Sequence, residues 1–225
     1  SISVFNEFNK LSVQDFVFKD NTEELKIDIL SNSTQIQLAC TKATNLIEKM
    51  MCYCRRDGEE NIHNPIVDLN HALQQNLTMI RGMIPSSVIF ETHFAANIFE
   101  LPELDESNLN QLIVNLYVNA RDAMNAKGII ILETSEIDVV NMCSCCRAEI
   151  NARYIEIKVT DNGSGIEPAV EKRIFDPFYT TKEVGKGTGL GLSAISGIVH
   201  NAGGHIVLET KVGKGTTFRL LFPQV

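Results

Sequence analysis

The chain has 225 residues, 44% of them hydrophobic and 21% charged, with a formal net charge of −8. That acidic balance disfavours nonspecific nucleic-acid binding, and no run approaches the ~18 apolar residues of a membrane-spanning helix. There is no signal peptide, and the helical pattern with which the chain opens reads as the start of a fragment.

Residues 1–56 contain neither proline nor glycine. Ile36, Ala39, Ala43, Leu46 and Met50 recur at helical spacing, and Asn21 or Thr22 offers a cap after a polar break. The pattern predicts a helical hairpin, 2–18 then 23–55. So small a hairpin cannot bury its apolar stripe alone. Pairing with a second copy in a four-helix bundle would bury it, and so would packing against its own chain. A linker follows over 57–65. From 66 to 225 the pattern alternates: a strand start at Ile66 and Val67, a helix over 68–84, a strand over 87–94, a helix over 106–125, and a strand from 128. The expected fold class is α+β, the hairpin followed by an α/β sandwich with helices on one face of a mixed sheet.

Along the 106–125 helix, Asn115, Asn119 and Asp122 fall at i, i+4 and i+7 on one face. Leu109, Leu112, Ile113, Leu116, Ala120 and Ala123 fill the other. A polar stripe of this kind ordinarily meets water. Asparagine is a poor helix former, however, and its amide oxygen suits a hard cation such as magnesium.

Six cysteines are present. Cys40, Cys52 and Cys54 fall on or near the second hairpin helix, and Cys143, Cys145 and Cys146 lie between two strands. Zinc or redox chemistry is one reading. Only Cys143 and Cys146 have Cys-x-x-Cys separation and no four ligands stand close in sequence, so reduced thiols are the default. His63, His71, His93, His200 and His205 read as structural, the last two flanking a Gly-Gly turn.

Ile155, Ile157 and Val159 alternate with Glu156, Lys158 and Thr160, which predicts a strand over 154–160. It runs into Asp161-Asn-Gly163-Ser-Gly165-Ile166, a turn whose aspartate can serve as a carboxylate acceptor. Next come Arg173-Ile-Phe-Asp-Pro-Phe178-Tyr-Thr-Thr-Lys182 and then Lys186-Gly187-Thr188-Gly189-Leu190-Gly191-Leu192. A glycine-rich loop entering a helix is an anion site, because free N–H groups and the helix dipole favour phosphate. It is neither a Walker loop nor a Rossmann fingerprint. The residues 204–223 read as two strands around a Gly-Lys-Gly turn, closing on Gly-Thr216-Thr-Phe.

In this order, the clusters resemble the N, first glycine, F and second glycine boxes of the ATP-binding domain of sensor histidine kinases, within the GHKL ATPase superfamily. The resemblance covers roughly 101–223. It implies the histidine-kinase type of α/β sandwich, an ATP site, magnesium, and phosphoryl transfer to a histidine for relay to a response regulator receiver domain. It implies a homodimer through the hairpin and a cytoplasmic fragment of a larger sensor. Asn119 would bind magnesium, and Asn115 would stand where a base or water-orienting group acts. Asp161 would accept the adenine amino group, and Thr216 would help hold the base. Gly163 and Gly165 would let the backbone approach it, with Ile166 alongside. Asp122, Phe178, Lys182, Lys186, Gly187, Thr188, Gly189, Leu190, Gly191 and Leu192 complete the nucleotide set, 183–189 forming a mobile lid.

The chain departs from that pattern at the phosphoacceptor. Asn6-Glu7-Phe8-Asn9 is the best local match, and it puts Asn6 where a nucleophilic histidine should stand; an amide cannot take that role. Glu7 would orient an imidazole at position 6. Other GHKL ATPases, of the gyrase, mismatch-repair or Hsp90 kind, and an ATP-binding pseudokinase are the remaining readings.

Overall fold

The computed structural model describes residues 65–82, 84–97, 99–182 and 187–224. The expected hairpin with Asn6 and Glu7, the linker up to 64, and residues 183–186 of the expected lid, Lys186 among them, lie outside the described residues. Pro65 is already strand, paired with Asp105.

The elements run β1 (Pro65–Ile66), α1 (Leu69–Arg81), β2 (Val88–His93), β3 (Leu101–Asp105), α2 (Glu106–Ala123), β4 (Gly128–Met142), β5 (Glu149–Asp161), α3 (Pro168–Glu171), α4 (Gly191–Asn201), β6 (His205–Lys211) and β7 (Gly215–Pro223). Five strands form a sheet in the order β2-β4-β5-β7-β6, and β1 pairs with β3 separately. Only β2 and β4 are parallel within the large sheet; its other pairs are antiparallel. This is the expected α/β sandwich. Among the described residues no helix is long and apolar enough to cross a membrane.

The alternation along β5 decides which face is buried. Ile155, Ile157 and Val159 enter one core with Ile130 and Leu132 of β4, Leu220 and Phe222 of β7, and Ile206 of β6. Leu69, Leu73 and Leu77 of α1, Leu109, Leu112 and Leu116 of α2, and Ile195 and Val199 of α4 cover it. Full burial of each such side chain stabilises by roughly 1.5–3 kcal/mol. The opposite face carries charge: Lys158 pairs with Glu133 at 2.7 Å, and Arg219 reaches Glu209 at 3.1 Å as well as Glu156.

β4 and β5 stay paired beyond the rest of the sheet, as far as Met142↔Glu149, whereas β7 leaves β5 at Tyr154↔Pro223. The outer part of the hairpin runs on past the end of β7. Its tip reaches the edge strand β6, where Ser144 N donates to Ile206 O at 2.8 Å and Leu208 N donates to Ser144 Oγ at 2.9 Å. The stretch between strands that carries the cysteines is therefore a hairpin tip closing a sheet edge, and unpaired edges of this kind are commonly covered. A small second core of Val139, Cys143, Ile150, Tyr154, Val207 and Leu221 lies beneath it.

Candidate functional site

Helix α2 organises the site. Asp105 caps it, accepting from Asn108 N at 2.7 Å, and its apolar side is buried through Leu109, Leu112, Ile113, Leu116 and Ala120. That packing fixes the helix's rotation, so Asn115, Asn119 and Asp122 stand half-buried on the open side.

Three loops come to successive turns of this face. The first residue of α4, Gly191, arrives at the two asparagines; a Cβ there would lie 3.5 Å from Asn115 Oδ1 and 3.9 Å from Asn119 Nδ2. Lys182 arrives one turn on, its Nζ 2.6 Å from Asp122 Oδ2. The loop after β5 arrives at the helix end. There Ser164 N donates to Ala123 O at 3.0 Å, and a Cβ on Gly163 would lie 2.9 Å from the Ala123 carbonyl carbon.

Asp161, the last residue of β5, is buried. Its Oδ1 accepts from Gly163 N at 2.8 Å. Burial pushes its carboxyl above the usual range, opposed in part by the backbone N–H groups of Gly163 and Thr216. Thr216 is buried beside it, paired across the strands. Its hydroxyl lies 3.2 Å from Thr210 Oγ1, which also accepts from Ile166 N at 2.9 Å. Thr210 thus links Ile166 to Thr216. No local signal in the sequence marks Thr210, one residue of a short alternating strand.

The segment from Phe178 to Leu190 closes on itself at its stem. Gly189 has φ +66°, and a Cβ there would lie 2.3 Å from the Phe178 carbonyl carbon. Phe178 itself is left-handed, φ 66°, and its ring is exposed. Gly187 packs on Thr180, Thr188 is exposed, Leu190 is buried and Leu192 packs against the main core. Gly165 has φ +69°, and a Cβ there would lie 2.2 Å from the Lys211 carbonyl oxygen.

Residues 104–225 match the family of histidine kinase-, DNA gyrase B- and HSP90-like ATPases. The chain belongs to that family. It is 34% identical to the sensor kinase CckA of Brucella abortus (strain 2308) over 84% of this chain and 20% of CckA. It is 36% identical to the sensor histidine kinase ZraS of Escherichia coli (strain K12) over 70% of this chain and 30% of ZraS. The crystal structure of full-length ShkA in complex with AMPPNP has a similar fold, with a TM-score of 0.63 and 20% identity, covering 95% of this chain and 41% of ShkA. The chain therefore spans a fifth to under a third of the two curated relatives.

Within the family its curated relatives are sensor kinases, so it is a catalytic domain of the histidine-kinase type, and family membership implies ATP with magnesium. The donor set along α2 fits that ligand pair. Amide oxygens suit magnesium, a helix start without an N-cap side chain leaves N–H groups for phosphate at Gly191, and the cradle beside Asn115 and Asn119 is open because Gly191 has no Cβ.

Proposed function

We propose that this domain binds magnesium–ATP along the open face of α2 and donates the γ-phosphoryl group to a histidine, for relay to the receiver domain of a response regulator. The arrival of Gly191, Lys182 and Gly163 at Asn115/Asn119, Asp122 and Ala123 carries this reading. Asp161 and Thr216, with the backbone at Gly163 and Gly165 and the side chain of Ile166, would hold the adenine. Asn119 would ligate magnesium and Asn115 would orient the reacting group. The N–H groups over 187–192 would take the phosphates, with Lys182, Lys186 and Phe178 on the lid. When bound, magnesium–ATP supplies the phosphoryl group: its bond to the β-phosphate oxygen breaks, the electron pair staying on ADP, as an imidazole nitrogen forms the new N–P bond. The protein's part is positioning and charge stabilisation. The likeness to the sensor kinases CckA and ZraS supports a receiver partner, whereas a homodimer through the hairpin rests on the apolar stripe over 36–50 alone.

Asn6 favours a second reading, an ATP-binding domain that does not label its own hairpin. Incubation with γ-labelled ATP separates the two. The unmodified chain should stay unlabelled, and Asn6→His should gain acid-labile phosphate. Acid-labile label on the unmodified chain would place the acceptor at another histidine. If Asn6→His binds ATP yet stays unlabelled, the pseudokinase reading stands. Absence of magnesium-dependent ATP binding by calorimetry would overturn both.

A further inference from the structure

Two cysteines and two histidines, distant in sequence, meet where the hairpin tip crosses β6. Cys143 and Cys146 lie in the tip, His200 sits in the last turn of α4 and His205 opens β6. One sulfur or ring nitrogen from each lies within 4.8 Å of all the others. Cys143 Sγ is 3.5 Å from His200 Nε2, and Cys146 Sγ is 4.0 Å from His205 Nδ1. Metal–sulfur bonds of ~2.3 Å and metal–nitrogen bonds of ~2.0 Å give a tetrahedron with edges of roughly 3.3–3.8 Å. The group thus needs a contraction of ~1.5 Å at most to share one ion.

We propose that Cys143, Cys146, His200 and His205 form a tetrahedral zinc site of the structural, closed kind. This proposal does not rest on the nucleotide reading.

The tip is shaped to present both sulfurs. Cys143 N donates to Ala148 O at 2.8 Å, Arg147 N donates to Cys143 O at 3.1 Å, and Arg147 adopts φ 62°. A non-glycine residue rarely takes that backbone conformation, so the turn is held there by its surroundings. His200 is oriented from behind. Its Nδ1 lies 3.2 Å from Ser196 Oγ, one helical turn earlier, and an imidazole that ligates through Nε2 carries its proton on Nδ1 to donate to such a partner. Two thiolates and two imidazoles select zinc over the hard cations, which take oxygen ligands. Two thiolate charges also cancel those of the ion, which suits a half-buried place.

The plainer account is a buried thiol bonded to a histidine. It covers Cys143 with His200 but not the second pair, in which Cys146 is exposed, nor the convergence of both pairs on one point. A disulfide is not formed: Cys143, Cys145 and Cys146 are all free. Cys145 points its thiol at Cys143 Sγ and packs on the apolar clusters, but it is not one of the four groups that converge. The site would fasten the hairpin tip to both sides of the α4–β6 turn.

The test is zinc content and coordination in the tag-free chain. After equilibration with zinc chloride and dialysis, about one zinc per chain is expected, with an X-ray absorption fit of two sulfurs at ~2.3 Å and two nitrogens at ~2.0 Å. Cobalt(II) should give tetrahedral bands with thiolate charge transfer. Cys146→Ser and His205→Ala should each weaken zinc binding at least tenfold, whereas Cys145→Ser and the triple variant Cys40→Ser, Cys52→Ser, Cys54→Ser should keep the zinc. A chain that retains no zinc overturns the proposal. So does an absorption spectrum fitted by oxygen and nitrogen alone, or zinc lost with Cys40, Cys52 and Cys54. If the Cys146 variant fails to fold, the spectrum of the unmodified chain decides.

Discussion

The ammonium of Lys182 rests 2.6 Å from Asp122 Oδ2 while Arg121 Nη2 holds Oδ1 at 2.7 Å. One carboxylate is thus shared between a cation of its own helix and one from the segment before the lid. Burial raises the Asp122 pKa, but the hydrogen bonds from Lys182 and Arg121 outweigh it and hold the carboxyl below its ordinary range. For an acid so depressed, the stabilisation is present above the unfolded value of about 4 and disappears as pH falls through the lower folded value.

Asp122→Asn should therefore cost little in stability, under ~1 kcal/mol, because about a third of each side chain meets solvent and screens the pair. It should leave the pH dependence of unfolding unchanged between about pH 6 and 9. Amide exchange over 180–182 should nonetheless quicken, since Lys182 loses its tether. Exchange equal to that of the unmodified chain would mean the ion pair does not hold the segment.

Asp161 runs the other way. Its carboxyl is raised by burial, against the N–H groups of Gly163 and Thr216. Such a group favours the folded state below its unfolded value of about 4, and that contribution is lost as pH rises through the raised folded value. Above that value the buried carboxylate is a cost to stability. Asp161→Asn should melt no lower than the unmodified chain, yet bind ATP roughly ten- to a hundredfold more weakly for loss of a charged acceptor worth about 1.5–3 kcal/mol. Calorimetry and thermal unfolding on the same preparation check both halves; undiminished affinity would remove Asp161 from the adenine role.

Gly189→Ala separates lid geometry from backbone strain. Left-handed backbone costs an alanine about 1–2 kcal/mol, and a Cβ there would also meet the Phe178 carbonyl carbon at 2.3 Å. Gly213 is also left-handed, φ +74°, with nothing within 4 Å of its Cβ position. Gly213→Ala should show the strain alone and leave ATP affinity intact. Gly189→Ala should weaken ATP binding at least tenfold by shifting the lid stem. Equal affinities for the two variants would show that the contact with Phe178 does not govern binding.

On the charged face of the sheet, Glu156 is 5% exposed and Arg219 15%, and Ser135 Oγ donates to the carboxylate at 2.9 Å. Glu156→Leu should destabilise by about 3–5 kcal/mol, because it leaves a buried guanidinium short of its main partner. Adding Arg219→Leu should recover most of that loss. Urea unfolding of the three variants tests this; a single-variant cost under ~1 kcal/mol would mean that Arg219 finds water.

Much of this arrangement is legible in the chain itself. The period of α2 and the alternation of β5 are local signals, so the stripe of Asn115, Asn119 and Asp122 and the place of Asp161 at a strand end follow from a few adjacent residues. β3 was not anticipated, since its five residues pair with only Pro65 and Ile66. The end of β4 at Met142 is not marked in the sequence for a related reason: beyond Val139 its residues carry no clean alternation. Cys143 and His200 are 57 residues apart, and local periodicity says which way a side chain faces, not which distant strand end it meets. That is why His200 and His205 read as ordinary histidines beside a turn.

The overshoot of the β4–β5 hairpin gives one strand two stabilities. Val159 lies where β5 has neighbours on both sides, whereas the stretch from Glu149 to Arg153 is paired with β4 alone. An isolated two-stranded ribbon is marginal in water, so this end relies on the small core around Ile150 and Leu221. In the metal-free chain the amides of a single continuous β5 should then open as two cooperative units, the ribbon at the lower free energy and the central stretch only with the whole domain. Chemistry at the tip is thereby insulated: the ribbon can come apart and reform while the sheet beneath α2 stays folded.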